Sequence, residues 1–112
     1  MCGRYNLNDA DKIDTRFEVE IAREVKLKPN FNVAPTQIMP VITSSEDGVR
    51  NLEMMKWGIP RMLGKDLVKE LINTRADKAF GGFWRKTVCN QRCLIPASGF
   101  YEWKGSKGNK TP

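Results

Sequence analysis

Residues 37–57 read QIMPVITSSEDGVRNLEMMKW, and the fold class turns on this stretch. Gln37 to Thr43 reads as a strand rich in β-branched residues, the composition that packs well on a pleated surface. Ser44 to Gly48 reads as a turn, its Asp47-Gly48 dipeptide being the chemistry of tight hairpin connections. Val49 to Trp57 returns as the second strand, and Gly58 and Pro60 are expected to stop it. Upstream, Asn8-Asp9-Ala10-Asp11 supplies N-cap candidates and first-turn acids ahead of Ile13, Phe17 and Ile21, which predicts a helix over about 9–24. Phe31 to Pro35 is extended, because a proline biases its predecessor away from the helical region.

Downstream, Lys65 to Leu71 reads as one or two helical turns and Ile72 to Arg75 as extended. Asp77 to Arg85 reads as a short helix interrupted by Gly81-Gly82. Arg92 to Trp103, apart from Pro96, is the clearest late strand, running into a flexible basic turn over Lys104 to Asn109. A strand that meets no returning partner leaves an open row of backbone groups, which domains normally cover. The expectation is therefore one incomplete domain over 1–112, with a homodimer through the open edge as one way to cover it.

The 112 residues have the length of a single domain, 40% hydrophobic and 29% charged, which is a globular composition. No apolar run approaches the roughly 20 residues of a membrane-spanning helix, so no membrane partner is expected. The charges that follow Met1-Cys2-Gly3-Arg4 leave no apolar core for a secretory signal, which points to a cytosolic or nuclear address. Three cysteines, an odd number, argue against a disulfide framework in such a reducing compartment. Cys89 and Cys93 with no histidine in the chain do not make a four-ligand zinc site, and no cofactor is called for. Nineteen Lys and Arg against 13 Asp and Glu give a formal charge of +6, which favours a polyanion without identifying it.

Cys2 becomes chemically distinctive if Met1 is removed. The new terminus would carry an α-amine and a thiol on adjacent carbons, with reference pKa values of about 7.7–8.0 and about 8.5. Such an amine can attack an aldehyde, and the neighbouring sulfur can close the Schiff base to a thiazolidine with the advantage of a preplaced nucleophile. On position alone, a small residue at a frayed end is the blander reading. Glu102, between Tyr101 and Trp103, is a candidate general acid/base if burial raises its pKa; simple strand alternation would instead point it at solvent. Trp57-Gly58-Ile59-Pro60 and Asn32-Val33-Ala34-Pro35-Thr36 set aromatic and rigid apolar corners beside cations, as surfaces that stack on or wedge a distorted strand do; most such residues are core or turn. Arg4, Arg61, Arg75, Arg85 and Lys86 are candidates for phosphate contact, each equally readable as solvated charge.

The ordered series of Met1-Cys2-Gly3-Arg4-Tyr5, Asn32 to Thr36, Trp57 to Pro60, Asn73-Thr74-Arg75-Ala76-Asp77 and Arg92 to Trp103 resembles the SOS response-associated peptidase family over nearly the whole chain. The resemblance implies an α+β, β-rich fold with a barrel-like sheet core and short flanking helices. It implies covalent attachment to abasic sites in single-stranded DNA, and an autopeptidase step that removes Met1. In this likeness Cys2 is the nucleophile, Asn73 positions the terminal amine or the sugar, and Glu102 is the acid/base. Arg4 and Arg75 match positions near the DNA backbone, and Pro35 and Trp57 match the apolar surface beside the lesion. The family's downstream His-x-Arg-Met-Pro type motif has no counterpart, since the chain contains no histidine. Two readings stand beside this one: a cysteine N-terminal hydrolase acting on peptide bonds, and a non-catalytic basic DNA-binding module.

Overall fold

The computed structural model describes residues 2–106 and 108–111. In chain order it has β1 (Arg4–Leu7), a 3-10 turn (Ala10–Lys12) leading into α1 (Ile13–Phe17), β2 (Asn30–Val33), β3 (Ile38–Ser44) and β4 (Arg50–Lys56). Then come β5 (Ile59–Leu63), β6 (Asp66–Leu71), α2 (Ala76–Ala79), a 3-10 turn (Gly82–Trp84) leading into α3 (Arg85–Asn90), β7 (Gly99–Tyr101), β8 (Lys104–Ser106) and β9 (Asn109–Thr111). The class is α+β with short helices. Among the described residues the strands make one three-stranded sheet, β2-β1-β7, and three antiparallel pairs, β3-β4, β5-β6 and β8-β9, with no closed barrel. Among the described residues the Ile42 to Leu94 bridge is the backbone pairing that carries β3 beyond its own hairpin.

The 37–57 hairpin forms in register from Ile38↔Lys56 to Ser44↔Arg50. The core lies behind it. Tyr5, Leu7, Ala10, Ile13, Val19, Val33, Met39 and Ile42 are buried together, with Phe17, Leu27, Leu52 and Trp57 packed against them. Alternation on β1 explains its share, since Tyr5 and Leu7 point inward while Arg4 and Asn6 lie on the other face.

The helix expected over 9–24 stops at Phe17. Glu18 adopts a left-handed conformation, φ 51, and the Val19 N–H donates to the Asp14 carbonyl at 3.1 Å. This 6→1 bond is the Schellman closure, and Val19 after it shares the core with Ile13 before it, the apolar contact that accompanies such ends. Glutamate stands here where glycine or asparagine usually marks the stop.

Lys65 to Leu71 is strand, not helix. Leu63↔Asp66 close a hairpin around Gly64-Lys65, and Gly64 has φ 61, the positive value that the first position of a II′ turn requires. A Cβ there would meet no atom, so only backbone strain opposes a side chain. Gly64→Ala is therefore expected to lower stability by about 1–2 kcal/mol, read as a lower urea midpoint at unchanged slope. Pro60 also sits inside β5, opposite Glu70, instead of ending a strand. Such a two-stranded ribbon is all edge, where proline is tolerated.

The single strand expected from Arg92 to Trp103 is divided between two sheets. Leu94 exchanges backbone bonds with Ile42 of β3 at 2.8 and 2.9 Å, whereas Ser98 N–H donates to Asn6 O and Gly99–Tyr101 joins β1. Buried Pro96, which has no N–H to give a ladder, lies at the crossing. The terminal basic turn has a returning partner, since Lys104↔Thr111 and Ser106↔Asn109 pair, while β7 keeps an open outer edge in its own sheet.

Candidate functional site

The pairing of β1 with β7 brings the first strand beside the Gly99–Tyr101 segment. Arg4 faces Tyr101, so Cys2, two residues before the pair, and Glu102, one residue after it, leave the same end of the sheet. Cys2 is half-buried and held at two atoms. Its carbonyl accepts a 2.7 Å hydrogen bond from Asn73 Nδ2, and its thiol donates to the Arg4 carbonyl at 3.1 Å. Asn73 lies 71 positions away in sequence, and the segment between β6 and α2 delivers it. Fixing residue 2 in this way removes backbone freedom that a chain end otherwise keeps.

The apolar corner forms beside it. Ala34-Pro35-Thr36-Gln37 is a turn closed by Gln37 N–H to Ala34 O at 3.3 Å, with Pro35 at its second position and Thr36 at φ 75. Proline followed by a positive φ is the type II pattern, and threonine holds the place that glycine usually takes. Two backbone bonds seat this turn on the tryptophan: Thr36 N–H to Trp57 O at 2.8 Å and Trp57 N–H to Gln37 O at 2.9 Å. The Trp57 ring packs on Tyr5, centroids 5.7 Å apart, and its indole N–H donates to Ile72 O at 2.9 Å. Ile72 precedes Asn73, so Pro35, Trp57, Asn73 and Cys2 form one connected set.

A family model for SOS response associated peptidase (SRAP) matches residues 1–112, the whole sequence. The chain belongs to the SOS response-associated peptidase family. It is 36% identical over 110 residues to abasic site processing protein YoqW of Bacillus subtilis (strain 168), covering 93% of this chain and 48% of that protein. Identity to abasic site processing protein YobE of the same strain is also 36%, over 93% of this chain and 49% of the relative. With abasic site processing protein HMCES of Gallus gallus it is 28%, over 91% and 34%. The chain spans about half the length of the Bacillus relatives it matches. No solved structure matches it.

Against the family pattern, the expected site residues divide into those the fold gathers and those it holds elsewhere. Cys2, Asn73, Trp57 and Pro35 are gathered, and Arg4 is anchored nearby, its Nη1 donating to Asn32 Oδ1 at 2.8 Å. Arg75 is exposed and forks onto Asp77, Nε to Oδ1 at 2.9 Å and Nη2 to Oδ2 at 3.1 Å, so its guanidinium is already engaged by that carboxylate. Glu102 shares the strand end, but its side chain is exposed; the burial expected between Tyr101 and Trp103 is absent because Trp103 is itself 44% exposed. Met1 and its removal lie outside the described residues.

Asn32 and Tyr101 were missed as supports. Asn32 braces Arg4, and the Tyr101 hydroxyl donates to Phe31 O at 2.8 Å, tying β7 across β1 to β2. The Asn32 signal was present in its quoted motif, whereas a tyrosine bonding a carbonyl 70 residues away leaves no local trace. Cys93 is set apart from Cys2 by its surroundings: local desolvation, and then the Glu53 carboxylate, push its thiol up. A thiol shifted upward is less ionised at neutral pH and reacts slowly. Iodoacetamide at pH 7 is accordingly expected to alkylate Cys93 more slowly than free cysteine, the rates converging as pH rises, with peptide mass spectrometry as the readout.

Proposed function

We propose that the chain captures abasic sites in single-stranded DNA as a covalent thiazolidine at Cys2, after removing its own Met1. The observation that carries this reading is the Asn73 Nδ2 to Cys2 O bond of 2.7 Å, which fixes residue 2 beside the Trp57 and Pro35 corner. The names of the relatives supply the substrate class.

The processed amine attacks the aldehyde carbon of the ring-opened sugar, forming a carbinolamine. Loss of water gives the imine, with Glu102, exposed at the same strand end, relaying a solvent proton to the departing oxygen. The Cys2 sulfur then adds to the imine carbon while its proton passes to nitrogen, and the five-membered ring closes. One C–N and one C–S bond form, one water leaves, and nothing is oxidised or reduced. Asn73 holds the residue-2 carbonyl, so amine and thiol stay on one side of the peptide. Trp57 and Pro35 stack at the gap left by the missing base, and Arg4 and Arg75 neutralise flanking phosphates. A cytosolic or nuclear location suits such a substrate. A barrel-like core would form by further strands pairing at the open edges of β3-β4 and β5-β6, and a second copy would pair along the outer edge of β7.

Incubating methionine-free protein with a single-stranded oligonucleotide that carries one abasic site tests this. The expected result is a band of retarded mobility on a denaturing gel, absent with the undamaged oligonucleotide and weaker with a duplex. A lesion-blind, salt-sensitive complex that dissociates on denaturation would instead identify a non-catalytic basic module.

A further inference from the structure

Glu70 belongs to none of the recognised motifs, yet its side chain is only 17% exposed. It lies on β6 opposite Pro60 and makes an ion pair through Oε1 with Lys56, the last residue of β4. Its other oxygen, Oε2, is buried and has no hydrogen-bond partner among the described residues. A Cβ built on Gly58 would stand 3.3 Å from that oxygen and 3.8 Å from Ile72 Cγ2, and Gly58 has φ 136. The positive φ at position 58 favours glycine, and the carboxylate end occupies the space beside Trp57 that a side chain at 58 would need. Burying a carboxylate oxygen without a partner is unfavourable, so an ordinary surface role does not account for this placement.

We propose that Glu70 is a positioning residue. Its clamp on Lys56 and Gly58 holds the Trp57 corner against Ile72, and so sets the reach of Asn73 to the Cys2 carbonyl. The links run without a gap: Lys56 to Glu70, Glu70 against Gly58, Trp57 Nε1 to Ile72 O, Asn73 Nδ2 to Cys2 O. The consequence for lesion capture rests on the function proposed above, whereas the clamp itself does not.

Two measurements on the full chain keep these parts separate. The first uses no DNA: exchange of the Trp57 indole N–H with solvent, followed by NMR and assigned with Trp57→Phe. Glu70→Ala and Lys56→Met are each expected to speed exchange about tenfold, and the double variant no more than either alone, as for two groups in one contact. Lys56 is half-exposed, so its variant remains informative should Glu70→Ala fold poorly. Unchanged exchange in the single variants, or fully multiplicative effects in the double, would overturn the clamp. The second is the rate of covalent capture of the abasic oligonucleotide. Glu70→Ala is expected to slow it about tenfold with reversible DNA affinity unchanged, and to add nothing in an Asn73→Ala background. An equal slowing with and without Asn73 would overturn the path through that side chain. Absence of capture by the unaltered protein would refute the proposed function, while indole exchange still judges the clamp.

Discussion

Cys2→Ala is expected to abolish the stable adduct with abasic single-stranded DNA, while leaving a Schiff base that borohydride can trap. The α-amine survives this substitution, so attack on the aldehyde continues, but no sulfur remains to close the ring. The imine then hydrolyses once the DNA is denatured. The expected pattern on a denaturing gel is a strong adduct for the unaltered protein with or without reductant, and for the variant an adduct only with reductant. Cys89 and Cys93 do not replace Cys2, because neither thiol adjoins the terminal amine, and the Cys93 thiol is also pushed up by its surroundings. A Cys2→Ala protein that forms the adduct without reductant would remove sulfur from the mechanism.

Asn73→Ala is expected to slow the proposed capture by about 10²-fold, the scale that loss of a single positioning contact can reach in a preorganised site. The side chain is exposed and packs little, so its removal leaves the core intact. The loss falls on the chemical step: the 2.7 Å bond to the Cys2 carbonyl disappears, and the chain end samples orientations in which amine and thiol miss the sugar. Reversible affinity for the same DNA, measured with a borohydride-stable abasic analogue, should change less than about threefold, because the cations on Arg4 and Arg75 remain. Single-turnover gels at saturating protein separate the two quantities. A variant with normal capture rate and weakened affinity would make Asn73 a DNA contact only.

Much of this candidate site was legible as an ordered series of short motifs: Pro35 sets its own turn and Trp57 adjoins Gly58, whereas Cys2 and Asn73 were marked by their motifs alone. The hairpin over 37–57 was readable from its Asp47-Gly48 turn, which follows a run rich in β-branched residues. Long-range pairing was not. The helix ends early because Glu18 takes a left-handed conformation that its side chain does not advertise, and core contact between Ile13 and Val19 rewards the stop. Lys65 to Leu71 lacks β-branched residues apart from Val68, so propensity pointed to helix, while the Gly64-Lys65 turn and pairing with β5 decided for strand. Glu70 carried no sequence signal, since its significance comes from Lys56 and Gly58, which only folding places around it.

The most direct test of the central claim is tandem mass spectrometry of the adduct after nuclease and protease digestion. The account predicts a modified peptide beginning at Cys2, with a mass equal to peptide plus sugar fragment minus one water, and no alkylatable thiol at that residue. An adduct located on a lysine, or on Cys89 or Cys93, or a residue-2 thiol still open to iodoacetamide, would contradict it.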